Sequence, residues 1–186
     1  MMELHKDIYL TVKNWIGYRE LPGNMGFHNK QFQQLMFAVG MQPGQAWCAW
    51  MVKAAWTICF VHEEKQVRKE LNAIMNGGAV ATFNSFENSD YLVNKEPAPG
   101  AAVFWQKYRG GEATWMGHAG ICTPYKTKTL FGTIEGNTNK DGGREGYMVA
   151  EKKRGFTWES NNGLRLLGFV HPIRKEKYNP TIHELS

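Results

Sequence analysis

Apolar positions recur at helical spacing through the first half of the chain and at strand spacing through the second. Ile8, Val12, Trp15 and Ile16 fall on one face of a first helix, with Gly17 just beyond it. A turn-rich connection, Glu20 to Gly26, carries Pro22, Gly23, Asn24 and Gly26. Phe32, Leu35, Met36 and Val39 mark a second helix that Gly40 stops. After the Pro43-Gly44 break comes Ala46 to Val61, apolar nearly all round. Trp47, Met51, Ala54, Ala55 and Ile58 make one stripe, and Cys48, Val52, Ala55 and Cys59 the next. Such a helix belongs in the middle of a domain. A more polar helix, about His62 to Met75, runs out at Gly77-Gly78.

Beyond Pro97, Pro99 and Gly100 the pattern changes to about five short strands. They are Ala101 to Trp105, His118 to Thr123, Leu130 to Glu135, Tyr147 to Glu151 and Leu166 to His171, with a polar glycine-rich loop from Thr138 to Arg144. Helices first and an antiparallel sheet afterwards predict an α+β domain over residues 1–174, followed by a polar extension over 175–186. No internal repeat or interdomain linker divides it.

Composition narrows the reading. A 42% apolar fraction over 186 residues supports a real core, which excludes disorder and a stapled mini-scaffold. The formal charge of +5 suits an anionic partner such as nucleic acid, membrane lipid or cell wall. The densest basic runs (Lys152, Lys153, Arg154 and Arg174, Lys175, Lys177) are short. No reading helix or RNA-binding signature accompanies them, so a nucleic-acid partner is not expected. Three cysteines cannot all pair, and their spacing makes neither a zinc ribbon nor a CxxC motif, so free thiols are expected. Met1 to Trp15 is broken by Glu3, His5, Lys6, Asp7 and Lys13 and has no apolar h-region. No stretch approaches the roughly 20 apolar residues of a membrane-spanning helix. The expectation is a chain made in the cytoplasm without a signal peptide, with no stable membrane insertion.

Cys48 lies in the first turn of the predicted central helix. Free backbone N–H groups and the positive end of the helix dipole favour a thiolate there, and the same N–H groups can hold an oxyanion. Against this stands the ordinary fate of a small apolar residue, burial in a core. A thiol nucleophile needs a base. His5, His28 and His183 lie in polar surroundings near ends or turns. His62 is about 14 residues along the same helix, ~20 Å at about 1.5 Å per residue, too far to help. His171 precedes Pro172 without a polar companion. His118 opens an apolar strand between Gly117 and Ala119-Gly120, where small neighbours let another element come close; a solvated strand-end histidine is the alternative. In Thr133-Ile134-Glu135-Gly136-Asn137-Thr138-Asn139, strand alternation puts Glu135 and Asn137 on one face. Either could orient the imidazole, and a polar strand end leading into a turn is the alternative. A zinc site is not expected: His118 and Cys122 would stand about 13 Å apart at ~3.3 Å per residue.

The ordered set Pro43-Gly44-Gln45-Ala46-Trp47-Cys48-Ala49-Trp50, Pro99-Gly100, Gly117-His118-Ala119-Gly120-Ile121 and Thr133 to Asn139 resembles the CHAP family. These are the cysteine, histidine-dependent amidohydrolases/peptidases, relatives of the NlpC/P60 group. Glu20 to Gly26 and Leu167-Gly168-Phe169-Val170 also look like segments of a CHAP subgroup found in phage and bacterial wall hydrolases. The likeness runs from about residue 8 to 172. It implies a papain-like fold, with Cys48 as nucleophile, His118 as base, Glu135 as orienting group and Asn137 in support. It implies a peptidoglycan hydrolase, either an N-acetylmuramoyl-L-alanine amidase or an endopeptidase, of the kind released by phages or exported as effectors and acting in the periplasm or wall. Gln45, Trp47 and Trp115 are candidate substrate contacts, with Trp50 and Trp105 also near the cleft. The Cys48 N–H is the default oxyanion donor, and the Gln42 or Gln45 amide a second one. Val39 to Trp47 contains no Asp or Glu, so calcium is not carried over, and no cofactor or metal is expected. A monomer is expected, and no immunity or export partner is legible. A papain-like protease or transamidase acting on protein, and a non-catalytic wall-binding module, are the competing readings.

Overall fold

The computed structural model describes residues 2–139 and 146–177. Within them run five helices: α1 (Met2–Lys13), α2 (Lys30–Ala38), α3 (Cys48–Cys59), α4 (Lys65–Ile74) and α5 (Ala79–Glu87). Six strands follow: β1 (Tyr91–Asn94), β2 (Ala102–Arg109), β3 (Glu112–Lys126), β4 (Leu130–Thr138), β5 (Met148–Gly155) and β6 (Gly163–Arg174). The strands form one sheet in the order β1-β6-β2-β3-β4-β5, and every neighbouring pair is antiparallel. The α+β class is therefore as the hydrophobic pattern predicts, with one strand more than the five expected.

Both faces of the sheet are covered, which is why the strands read as apolar runs rather than clean alternations. Ala102, Phe104, Ala119, Ile121, Ile134, Val149 and Val170 pack against Ile8, Val12, Met51, Val52, Ala55 and Trp56 of the helices. On the opposite face Val103, Trp105, Cys122, Phe131, Leu166 and Phe169 form a second core. Phe156, Trp158 and Leu164, from the end of β5 to the start of β6, close over it.

Helix α3 is the hub, in contact with every other helix and with β3 and β4. Its residues from Cys48 to Trp56 include eight buried side chains. Ile58 is exposed and Cys59 half-buried, so the all-round burial fades in the last turn. Helix α2 begins where Asn29 caps it through the Phe32 N–H at 2.9 Å. It ends before Gly40, whose φ of 109° only glycine adopts readily. Ile16, placed on the buried face of the first helix, is exposed, because α1 stops at Lys13.

Two elements went unforeseen, α5 and β1. Thr82, Asn84 and Ser85 give α5 weak intrinsic propensity. Tertiary packing supplies the rest: Phe86 and Phe83 are buried and meet the Phe104 ring at 6.5 and 5.9 Å. Strand β1 has only four residues, too few for a pattern, and is fixed by pairing with β6. His171 also departs from the expectation. It is buried, with Nε2 2.9 Å from Asn94 Oδ1 and its ring 5.5 Å from that of His5. The polar 3-10 turn Lys175–Lys177 follows β6. Residues 178–186 of the expected extension, and 140–145 of the glycine-rich loop, lie outside the described residues.

Candidate active site

The start of α3 is fixed before any chemistry is considered. Trp47 occupies the N-cap position, where its side chain cannot accept a hydrogen bond and makes no cap. Its indole instead turns into the core, edge-on to Phe27 at 5.0 Å, and donates to the Glu20 carboxylate. The Asn24 amide, oriented to satisfy both groups, donates to the same carboxylate. On the other side the ring lies against Gly136 of β4. A Cβ at that glycine would stand 2.5 Å from the Trp47 ring and 2.9 Å from Met51 Sδ. A missing side chain thus lets the helix start sit directly on the strand.

This seating carries Cys48 to His118. The Cys48 thiol, 6% exposed, lies within hydrogen-bonding reach of the His118 imidazole and of the backbone N–H groups of Ala119 and Ala49. Because Trp47 provides no cap, the first-turn N–H groups of α3 remain available to the sulfur. Burial alone raises the thiol. The positive charge and hydrogen bond of His118, together with the two N–H groups, outweigh it and hold the thiol below its ordinary value.

His118 sits in the middle of the 15-residue β3 rather than opening a strand, because Glu112 and Ala113 extend the hairpin with β2 through Gly110-Gly111. Its side chain is 13% exposed. Burial lowers its pKa, but the Cys48 thiolate and then Glu135 more than reverse this and raise it to about 10. The directions of both shifts favour a thiolate–imidazolium pair, which titrates as a unit.

His118 Nε2 donates to Glu135 Oε2 at 2.8 Å, which leaves Nδ1 for the thiol. Gly120 clears the way: a Cβ there would meet Glu135 Cγ at 2.8 Å. Glu135 is fully buried. Burial raises its carboxyl, but Arg154 and His118 overcome this and hold it well below the ordinary range.

Asn137 does not share the Glu135 face. Its φ is 52°, and the β4–β5 register shifts between Glu135 and Thr138, so the two-residue alternation breaks there. The imidazole is met by the carboxylate. Trp47 is wholly buried, which removes it from the expected substrate contacts, and Trp105 is buried as well. Gln45 is exposed, but its carbonyl accepts from the Gln42 N–H and the Trp50 indole, both at 3.0 Å, so it braces the turn ahead of α3. Trp115 is 87% exposed on β3, three residues before His118.

Two partners were not singled out from the sequence. Thr133 Oγ1 donates to Glu135 Oε1 at 2.6 Å, and Arg154 donates to both carboxylate oxygens, from Nε at 2.7 Å and from a terminal nitrogen at 2.5 Å. Arg154 ends a short basic run that was weighed only for nucleic-acid binding. Only the register of β5 on β4, hidden behind the loop between them, would have shown where it points. Cys122 is buried beside Glu135, and its thiol is raised by burial and by that charge. Cys59 meets Thr11 Oγ1 at 3.5 Å. Among the described residues, no group of three or more His, Cys, Asp or Glu could hold a metal ion, and no helix is long and apolar enough to cross a membrane. A scan against protein-family models and searches of curated proteins and of solved structures found no match to this chain.

Proposed function

We propose that this chain is a papain-like thiol amidohydrolase that cuts an amide bond in the peptide part of murein. One observation carries the chemistry. The first turn of α3 delivers Cys48 to an imidazole whose far nitrogen is held by the buried carboxylate of Glu135. Three residues from three separate elements thus meet in an arrangement that supports the roles of nucleophile, base and orienting group. The choice of murein rests on the order of the CHAP-like motifs and on the positive net charge.

In this reading the Cys48 thiolate attacks the carbonyl carbon of the amide, forming a C–S bond and an oxyanion. N–H groups in the uncapped first turn of α3 stabilise the negative oxygen. Imidazolium His118 gives its proton to the departing amine as the C–N bond breaks, leaving a thioester. Neutral His118 then takes a proton from water, the hydroxyl adds to the thioester carbon, and the C–S bond breaks. The product acid leaves and the thiolate–imidazolium pair returns. Trp115, 87% exposed on β3, is an accessible aromatic surface on which substrate could lie.

The test is lysis of purified murein by the wild type and by Cys48→Ala. The smaller side chain leaves the seating of α3 intact, so the variant folds but releases no fragments. Lysis at the wild-type rate by that variant rejects the assignment. Mass spectrometry of fragments from defined muropeptides then identifies the bond: free stem peptides for an amidase, split stems for an endopeptidase. Digestion of casein with intact murein would instead favour a protease.

A further inference from the structure

We propose that Arg154 is a positioning residue of the thiol site, whose guanidinium fork fixes the Glu135 carboxylate and, through it, the ring of His118. The inference rests on the thiol reading above and concerns what holds that site in register.

The hydrogen bonds of Glu135 carry the argument. A carboxylate has about four acceptor positions. All four are used: Oε1 takes Thr133 Oγ1 and Arg154 Nε, and Oε2 takes the other Arg154 nitrogen and His118 Nε2. A planar fork onto both oxygens sets the plane of the carboxylate as well as its place, which a single bond could not do. The oxygen facing His118 is therefore aimed by Arg154. The same guanidinium lies over the Trp105 ring at 5.5 Å, and that ring is 5.8 Å from the His118 ring at a tilt of 33°. Arg154 therefore steadies both the carboxylate that bonds the imidazole and the indole beside it.

Charge leads to the same conclusion. Glu135 faces His118 and the Cys122 thiol on β3, Arg154 on β5 and, beyond the imidazole, the Cys48 thiolate on α3. Of these charges, only that of Arg154 stays the same while protons move among Cys48, His118 and substrate. It keeps a buried carboxylate ionised even if His118 becomes neutral during turnover. Lysine would supply the charge without the fork.

The sign of the pH effect follows. Arg154 holds the Glu135 carboxyl low, so removing it lets burial push the carboxyl up. Glu135 then takes a proton at higher pH and ceases to accept from His118. In Arg154→Gln, the acid limbs of kcat/KM and of Cys48 alkylation by iodoacetamide both move to higher pH, by on the order of one unit. The kcat falls roughly tenfold with KM little changed, since a residue that acts through Glu135 and His118 alters the chemical step and not ground-state binding. Arg154→Lys lies between, with the acid limb largely restored and kcat still low. Thermal midpoints are recorded for all three proteins.

Wild-type acid limbs in Arg154→Gln overturn the proposal, because Glu135 is then held without the guanidinium. A lowered thermal midpoint with unmoved limbs also overturns it, because the role is then only structural. A wild-type Cys48 that resists alkylation well below pH 8 rejects the thiol reading itself, and this proposal with it. A reactive wild-type thiol with unmoved limbs in the variant rejects the proposal alone.

Discussion

Glu135 joins the chemistry to the stability of the domain. It is wholly buried, yet it accepts hydrogen bonds from Thr133, Arg154 and His118. Removing one partner of a buried, hydrogen-bonded ion pair leaves the other charge unsatisfied, typically at about 3–5 kcal/mol. In Glu135→Gln the new amide NH2 would point a donor at either His118 or Arg154. The variant is expected to lose most of its activity and to melt well below the wild type at pH 7. The folded carboxyl lies below its ordinary value of 4.5, so its stabilisation is fully present above that pH and lost as acid titrates the folded group. The gap in thermal midpoint between wild type and variant should therefore narrow on going from pH 7 towards pH 3. A gap of the same size at both pH values would show that the carboxylate charge contributes nothing.

At the scale of elements, the site depends on how closely α3 approaches β4, and Gly136 sets that approach. An alanine methyl there would collide with the Trp47 ring and Met51 Sδ. Both belong to the first turn of α3 or its cap, so the helix must lift and take Cys48 with it. Overpacking of this kind costs about 1–3 kcal/mol. A displacement of about 1 Å at a reacting atom can cost on the order of a hundredfold in rate. Gly155→Ala on β5 is the control, because its methyl would meet nothing closer than Thr157 Oγ1 at 3.7 Å. Murein lysis should collapse in Gly136→Ala and persist in Gly155→Ala; equal activities would show that the seating of α3 is not limiting. The three residues that the fold brings together were legible because each has a local signature. Cys48 starts an apolar helix, His118 lies among glycines, and Glu135 precedes a glycine in a strand. Arg154, α5 and β1 were not legible, because their places follow from register and tertiary packing; Thr133, two residues before Glu135 on one strand, lies on the face that alternation already marked. Trp47 was misread for a related reason: an aromatic ring beside a nucleophile can face the cleft or the core, and only the Glu20 carboxylate and Gly136 decide which.

At the scale of the whole molecule, the formal charge of +5 belongs to no single patch that the sequence marks out, so its effect is a long-range field. Such a field reaches about 30 Å at 0.01 M salt and about 8 Å at 0.15 M. If the chain is the murein hydrolase proposed above, this field would concentrate it on a polyanionic wall but contribute little to bond cleavage at a largely buried site. The ion pairs of that site, Cys48 with His118 and Glu135 with Arg154, lie close together and are largely shielded from solvent, so salt screens them weakly. Two substrates separate the contributions. On intact anionic murein, the lysis rate should fall several-fold between about 0.01 M and 0.3 M salt as the attraction is screened. On a short neutral muropeptide the rate of amide cleavage should stay nearly constant over the same range. If both rates fall together, salt acts on the catalytic centre and the net charge has no separate part in reaching the wall. If neither falls, the charge plays no part in reaching it, and recognition must lie in close contacts such as those Trp115 can make.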